Sequence, residues 1–451
     1  MKSIKICSLI ILAVSFSSCE EFLLEKASKK LAVPSRLTDL QALLDDYSII
    51  NSIDPAEGEF AADDFYLLPD VWAARSEEDR AAYIWEPDYS ATDLNWFATY
   101  RIVYYANIVL EHIPSIERSP TNSLEWDNVK GQALFLRAKS FLNIANIWSS
   151  AYDEHTSTVD LGIPLRLTAD FNVPSERASM ANTYSQIVQD LEAAIDLLPV
   201  RPVHVLRASK PAAMALLART FLFMGEYEKC LSYADACLQL SGELMDYNDL
   251  EPSPSYPIPQ FNVETLYYSV ASTINTPGIS VSNALVDTVL YDSYASNDLR
   301  KLLYFRPNSN GTYSMRGNYS GGALRFMGVA TDEVYLMRAE CYARLGDTEN
   351  AMYALNHLLS HRFVVSTFTP LTASNPHDAL EHVLLERRKE LIFRGLRFPD
   401  IKRQNKDGAE ITCKRILDGK EFTLSPNDLR FALPIPESVI EHAPGVHRNP
   451  R

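Results

Sequence analysis

Four carboxylates early in the chain, Asp63, Asp64, Asp70 and Asp88, and two histidines one helical turn apart, His357 and His361, are the residues whose types and spacing first suggest chemistry. Glycoside hydrolysis needs two carboxyl groups at a set separation, one acting as acid and the other as base or nucleophile. That separation is a property of the fold, and among 58 acidic side chains some clustering arises by chance, so a solvated acidic surface is the expected role of the four. His357 and His361 have no adjacent glutamate and no evident third ligand, so they are expected to sit solvated near a helix C-terminus and no metal site is assigned. No G-x-S-x-G elbow, phosphate loop, H-E-x-x-H motif or dinucleotide fingerprint occurs, and no cofactor is called for. The most legible enzyme classes are thereby removed.

The 451 residues carry 42 Lys and Arg against 58 Asp and Glu, a formal charge of −16. Such a surface repels phosphate backbones, and no basic stripe relieves it, so nucleic acid is not expected as a partner. A hydrophobic content of 47% with only 16 glycines fits a large packed globule. At the start, Lys2 and Lys5 precede an apolar run from Ile6 to Phe16 that is too short to span a bilayer and has the layout of a secretory signal. Cys19 follows two small serines, a pattern that resembles a bacterial lipobox with Phe16 in the usual leucine position. Residues 1–18 are therefore expected to be removed and Cys19 to be lipidated, anchoring the protein to a membrane without spanning it. Cys230, Cys237, Cys341 and Cys413 do not form a disulfide pattern and are expected to be small buried residues; the first two lie roughly 10 Å apart along one helix.

The elements that must position any binding residues are helical. Ser209 as N-cap, Pro211 in the first turn and Gly225 as terminator frame one helix, and Cys230, Ala234 and Cys237 line one face of the next. Ala339, Tyr342, Gly346, Ala351 and Leu355 repeat Ala218, Phe221, Gly225, Cys230 and Ala234 at a constant offset, the mark of tetratricopeptide-like helix pairs. Further helices are predicted at 94–113, 126–148, 181–198 and 378–394, and a capping box at Thr38 and Gln41. Trp96, four residues before Tyr100, belongs to a core stripe, and Trp126 to a helix start. Two irregular stretches interrupt this pattern, 54–92 and the long insertion 242–330, and loops of that length usually carry function.

The motifs "YYANIVLEHIP" (104–114), "GQALFLRAKSFLNIANIW" (131–148), "LLERRKELIFRGLRFPDIKR" (384–403) and "ALPIPESVIEHAPGVHRNP" (432–450) resemble the SusD/RagB outer-membrane lipoproteins of the Bacteroidetes. In the third motif, i,i+4 ion pairs among Glu386, Glu390 and the flanking arginines, with a helix end at Gly395, account for the charges without a ligand, and Arg394 stands where the family usually has Glu. Asn107 and Trp148 read as buried helix residues. The resemblance implies a mostly α fold, a superhelix of tetratricopeptide-like pairs with long loop insertions. The expected organisation is a single domain from 19 to 451, with a loop-rich part at 38–92, helical repeats at 94–241 and 331–394, and a C-terminal segment from 395. It also implies outward-facing display at the outer membrane, with Glu20 and Glu21 resembling an export signal. The implied partner is a SusC-like TonB-dependent transporter, and the implied ligand a glycan, or a peptide in one branch. Sugar rings lie on aromatic faces while their hydroxyls need polar partners. Tyr66, Trp72 and Trp85 from the first irregular region and Tyr291, Tyr294, Tyr313, Arg316 and Tyr319 from the second are the candidate ligand contacts. A helical glycoside hydrolase using Asp63 or Asp64, and a pure interaction scaffold, are the remaining alternatives.

Overall fold

Ser209 and Gly225 delimit the helix that the sequence makes easiest to place. The Ser209 side chain accepts from the Ala212 N–H, Pro211 occupies the first turn, and Gly225 closes the helix at φ 77°, a left-handed conformation that glycine adopts at no steric cost. The computed structural model describes residues 34–87, 89–272 and 283–451; the leader, Cys19, Glu20, Glu21 and Asp88 lie outside them.

Eight helices form the scaffold: α1 (Leu94–His112), α2 (Ser123–Trp148), α3 (Met180–Leu197), α4 (Lys210–Met224), α5 (Tyr227–Leu240), α6 (Thr331–Arg344), α7 (Thr348–Ser360) and α8 (Pro376–Glu390). Each packs on its predecessor, and α8 folds back to cover both α6 and α7. The protein is mostly α, with only short strands between helices. Ala218, Cys230 and Ala234 in one pair and Ala339, Ala351 and Leu355 in the other are fully buried, and Gly225 and Gly346 both turn the chain at positive φ. Small side chains at these positions let the paired axes approach closely, which is why the repeat shows in the sequence. Cys230, Cys237, Cys341 and Cys413 are buried and free. Trp96 is a core residue, its ring 5.2 Å from that of Trp148 in an edge contact. Among the described residues no helix is long and apolar enough to cross a membrane.

Three local expectations are corrected. The first helix among the described residues begins at Leu37, and the N–H groups leading into it, from Ser35 and Arg36, are taken by the Asp39 carboxylate rather than by a Thr38–Gln41 box. The α8 helix ends at Glu390, short of 394, because Phe393 adopts φ 58° and turns into the core beside Phe65. Lys389 pairs with Glu386 and Arg403 with Asp400 along their helices, but the other charges of that motif pair across the fold. Glu386 and Glu390 meet Arg300, Glu390 also meets Arg362, Arg387 meets Asp400, and Arg394 meets Asp332. The C-terminal end of this helix is buried, so charges that an exposed helix would pair locally find tertiary partners.

The insertion and the 54–92 stretch share an apolar cluster around Phe60, Phe65, Tyr247, Tyr294, Tyr319 and Phe326, distinct from the helical core. Arg362, just after α7 and fully buried, ties this cluster to the scaffold. It donates to Glu264 at 2.9 Å, Glu390 at 2.7 Å and the Met245 carbonyl at 2.8 Å. Burial pushes the Glu264 carboxyl up to about 7, against the opposing pull of Arg362.

Candidate ligand-binding site

A small antiparallel sheet joins the two irregular regions. Strand β1 (Phe65–Tyr66) comes from the first, and β2 (Leu285–Val286), β3 (Phe305–Pro307) and β4 (Tyr313–Met315) come from the insertion, in the order β1-β2-β4-β3. Tyr66 pairs with Leu285, Leu285 with Ser314, and Tyr313 with Pro307. Residues opposite one another across a ladder share a face, so Tyr66 falls in the row of Ser314 and Tyr313 in the row of Phe65. The sheet thus brings both regions together but turns Tyr66 and Tyr313 to opposite faces.

On one face Tyr313 stacks on Tyr291 at 3.6 Å between ring centroids and 15° between planes. The Lys301 ammonium lies 4.5 Å from the Tyr291 centroid. Two groups that close cannot share one ring face, so Tyr291 is sandwiched and has no face for a ligand. Tyr313 is half-exposed, and its far face carries no ring or cation contact among the described residues. The hairpin beside it is polar: Asn308 bonds Thr312 and Ser314, Asn310 bonds Thr312, and Gly311 turns at φ 80°. Gly317 closes the same region, where a Cβ would stand 2.1 Å from the Leu303 carbonyl oxygen. Lys301, Asn308 and Asn310 were missed in the sequence, where nothing distinguishes them from other surface residues.

On the other face Tyr66 stands near Asp287, and burial followed by that negative charge raises its hydroxyl pKa. Arg388 bridges Asp64 at 2.9 Å, Asp63 at 3.4 Å and Asp287 at 3.9 Å, and Arg397 holds Asp63 at 2.6 Å. Burial opposes the charged form of Asp63, yet Arg397 and then Arg388 hold its carboxyl well below the usual range. Asp63 and Asp64 are therefore anchors for arginines rather than a solvated surface.

Three of the candidate contacts are core residues. Trp85 is 2% exposed, donates its indole N–H to the Ala61 carbonyl at 3.0 Å, and has the Arg415 guanidinium 4.9 Å from its ring. Tyr294 is 1% exposed and donates to the Lys389 carbonyl at 2.7 Å. Tyr319 is 2% exposed and donates to Glu264 at 2.5 Å. Trp85 buries its ring in the helical core and Tyr294 and Tyr319 bury theirs in the second apolar cluster, each with its polar tip satisfied there, so no face is left for a ligand. Arg316 donates to the Pro252 and Pro254 carbonyls and serves as a tether for that stretch. Trp72, on the Pro69–Ala73 helix, is half-buried, with its indole N–H on the Arg80 carbonyl at 3.2 Å and the Arg80 guanidinium 5.9 Å from its ring.

Among the described residues, His377, Asp378 and Glu381 are in mutual reach of a cation, but they lie on the open N-terminus of α8 and Asp378 already accepts from Ser374. His361 Nδ1 contacts the His357 carbonyl, at the end of α7.

Residues 21–222 match a family model described as "Starch-binding associating with outer membrane", and residues 308–451 match that of the SusD family. No curated protein matches the sequence. Among solved structures, a sugar-binding protein from Bacteroides vulgatus, itself described as putative, superposes with a TM-score of 0.75 at 22% identity, covering 93% of this chain and 99% of that one. A SusD superfamily protein from Bacteroides thetaiotaomicron gives 0.75 at 22% identity, with 92% and 100% covered. A SusD-like carbohydrate-binding protein from Bacteroides vulgatus gives 0.69 at 19% identity, with 92% and 98% covered. These likenesses reach from the first scaffold helices to the C-terminal segment, and with the two family matches they mean that the chain belongs to the SusD/RagB family.

Proposed function

We propose that this chain is a cell-surface lipoprotein that captures oligosaccharides or a polysaccharide at the outer membrane and passes them to a SusC-like TonB-dependent transporter, without turnover. The observation that carries the capture step is the partly exposed Tyr313 ring, stacked on Tyr291 with Lys301 beyond it and flanked by an amide-rich hairpin. A pyranose offers a C–H face to such a ring, while its hydroxyls take hydrogen bonds from neighbouring amides. Tyr66 with Asp287 and Arg388, and Trp72, are further contacts for an extended chain. Family membership, and the sugar-binding descriptions of structural relatives, favour a glycan. The same membership favours a single domain after the leader, lipid-anchored through Cys19 and displayed outward. Asp63 and Asp64, which hydrolysis would need, are engaged with Arg388 and Arg397.

Calorimetric titration against a panel of oligosaccharides, with a peptide mixture alongside, tests the reading. Saturable heat from one glycan class, weakened by Tyr313→Ala and without release of reducing ends, is the expected result. Heat from peptides alone would move the protein to a peptide-capturing role, and reducing ends that disappear in Asp64→Asn would make it a hydrolase.

A further inference from the structure

A second cleft, sharing no residue with the sheet, lies between the N-terminal half of α1, the 164–175 loop and the Glu437–His442 helix with the turn that follows it, and encloses about 380 Å³. Its size suits a ligand of one or two rings. Trp96 and Tyr100 form the floor, while Phe171, 78% exposed, and half-exposed Tyr104 stand at the mouth with ring centroids 4.9 Å apart. Large aromatic side chains at a cavity mouth, one of them almost fully exposed, are not required by packing.

Its walls are held from inside the fold. Asn107, from a motif singled out in the sequence, donates to the Arg166 carbonyl at 2.8 Å and the Thr168 carbonyl at 3.2 Å, and its own oxygen accepts from Arg137, which is paired with Asp190. Glu111 accepts from Thr168 and from the Ala169 N–H. This loop is therefore fixed, and with it Arg166, which lines the cleft.

Arg166 is the polar feature that decides the ligand. Its Nη1 donates to the Val173 carbonyl and Ser175 hydroxyl, and Nη2 to the Asp170 carbonyl, so every acceptor is neutral. Asp170 turns its carboxylate to Asn172, and Glu111 is engaged as above. Of the five guanidinium N–H groups, Nε–H and one on Nη2 have no acceptor among the described residues. Two neighbouring N–H groups on one guanidinium match the spacing of a carboxylate. In a chain of net charge −16, an arginine that feels the Asp170 charge but makes no salt bridge among the described residues, set in an aromatic cleft, suits an anion.

We propose that this cleft binds a six-membered ring bearing a carboxylate, the ring lying against Tyr104 and Phe171 and the carboxylate accepting from Arg166. Two sources supply that chemistry, a uronic acid unit of a glycan or a free aromatic acid. The site stands independently of the capture role assigned to Tyr313.

The test is calorimetric titration of the full chain in detergent with trigalacturonic acid, its methyl ester, benzoic acid and benzamide. At least one acid is expected to bind saturably, and its uncharged counterpart roughly tenfold more weakly, since the charge-assisted pair is lost. Phe171→Ala is expected to weaken the acid severalfold and Arg166→Gln to abolish the preference for acid over uncharged counterpart. Tyr313→Ala, which disables the other site, should change neither. Arg166 also steadies its loop, so the comparison of acid with uncharged counterpart on the unaltered protein decides the matter without a variant. Equal binding of acid and counterpart, or no saturable binding of either acid at millimolar concentration, overturns the proposal. Loss of sugar binding by Tyr313→Ala with the acid unaffected would separate the two sites.

Discussion

Replacing Arg362 by Met tests whether the buried ion cluster holds the insertion on the scaffold. The guanidinium reaches Glu264, Glu390 and the Met245 carbonyl, all at 3.0 Å or less. Glu390 would keep Arg300 at 3.0 Å, but Arg362 is the only salt-bridge partner of Glu264 among the described residues. Removing one side of such a buried pair costs about 3–5 kcal/mol, because a desolvated charge is left behind. Glu264 would retain the Met245 N–H and the Tyr319 hydroxyl, which cannot replace a cation. The pH dependence gives the sharper signature. In the native protein the Glu264 carboxyl is already raised to about 7, so its proton-linked contribution is fully present below the unfolded value near 4.5 and is lost as pH rises through 7. Without Arg362 the folded value rises further, and the Glu264 contribution should keep falling above pH 7, where in the parent protein it has levelled off. Guanidinium unfolding at pH 5.5 and pH 8.5 measures this: the variant's deficit should be larger at the higher pH. Glu264→Gln in the same background should restore about 1–3 kcal/mol at pH 8.5, the cost of an unpaired buried group. A deficit that does not change with pH, or a double variant no more stable than the single one, would refute the reasoning.

Tyr313→Ala should weaken the captured glycan roughly tenfold with little change in melting temperature, whereas Trp85→Ala should lose about 3–5 kcal/mol of stability through its core cavity and leave the affinity of the folded fraction unchanged; calorimetry and thermal melts on the same samples separate the two. Gly317→Ala drives a methyl group against the Leu303 carbonyl, so it should cost about 1–3 kcal/mol and displace the hairpin that carries Tyr313, read as a joint drop in melting temperature and ligand affinity. Burial, then the Asp64 charge, raises the Glu59 carboxyl to about 8, so its contribution falls as pH rises from about 4.5 through 8. Glu59→Gln, which still accepts from the Gly395 N–H, should flatten that slope and melt higher than the parent at pH 9; an unchanged slope would count against the assignment.

How much of the fold was legible depended on whether its determinants were local. The α4–α5 and α6–α7 pairs could be placed from Ser209, Pro211, Gly225 and Gly346 because caps, left-handed turns and small contact residues act within one or two helical turns. The charged motif at 384–403 was legible as structural, but its partners were not. Arg300, Arg362, Asp332 and Asp400 become neighbours only when the insertion and the following helix fold onto α8, and burial forces pairing with whichever opposite charge arrives.

Aromatic residues in irregular segments mark the boundary most clearly. Their types located the candidate region, since the insertion and the 54–92 stretch do meet in one sheet. Which rings face outward was settled by cross-strand register and by two apolar clusters, the helical core taking Trp85 inward and the second cluster taking Tyr294 and Tyr319, while Tyr313 stays only partly buried. The cleft at Arg166 was likewise invisible along the chain, because its α1 floor reads as a helix stripe and its walls come from segments more than 250 residues apart. By itself the sequence determined the helical repeat, the family and the acidic surface, all set by local pattern and composition. The tertiary structure alone decided which aromatics and which charges remain unpartnered, because that depends on what is packed against them from distant parts of the chain.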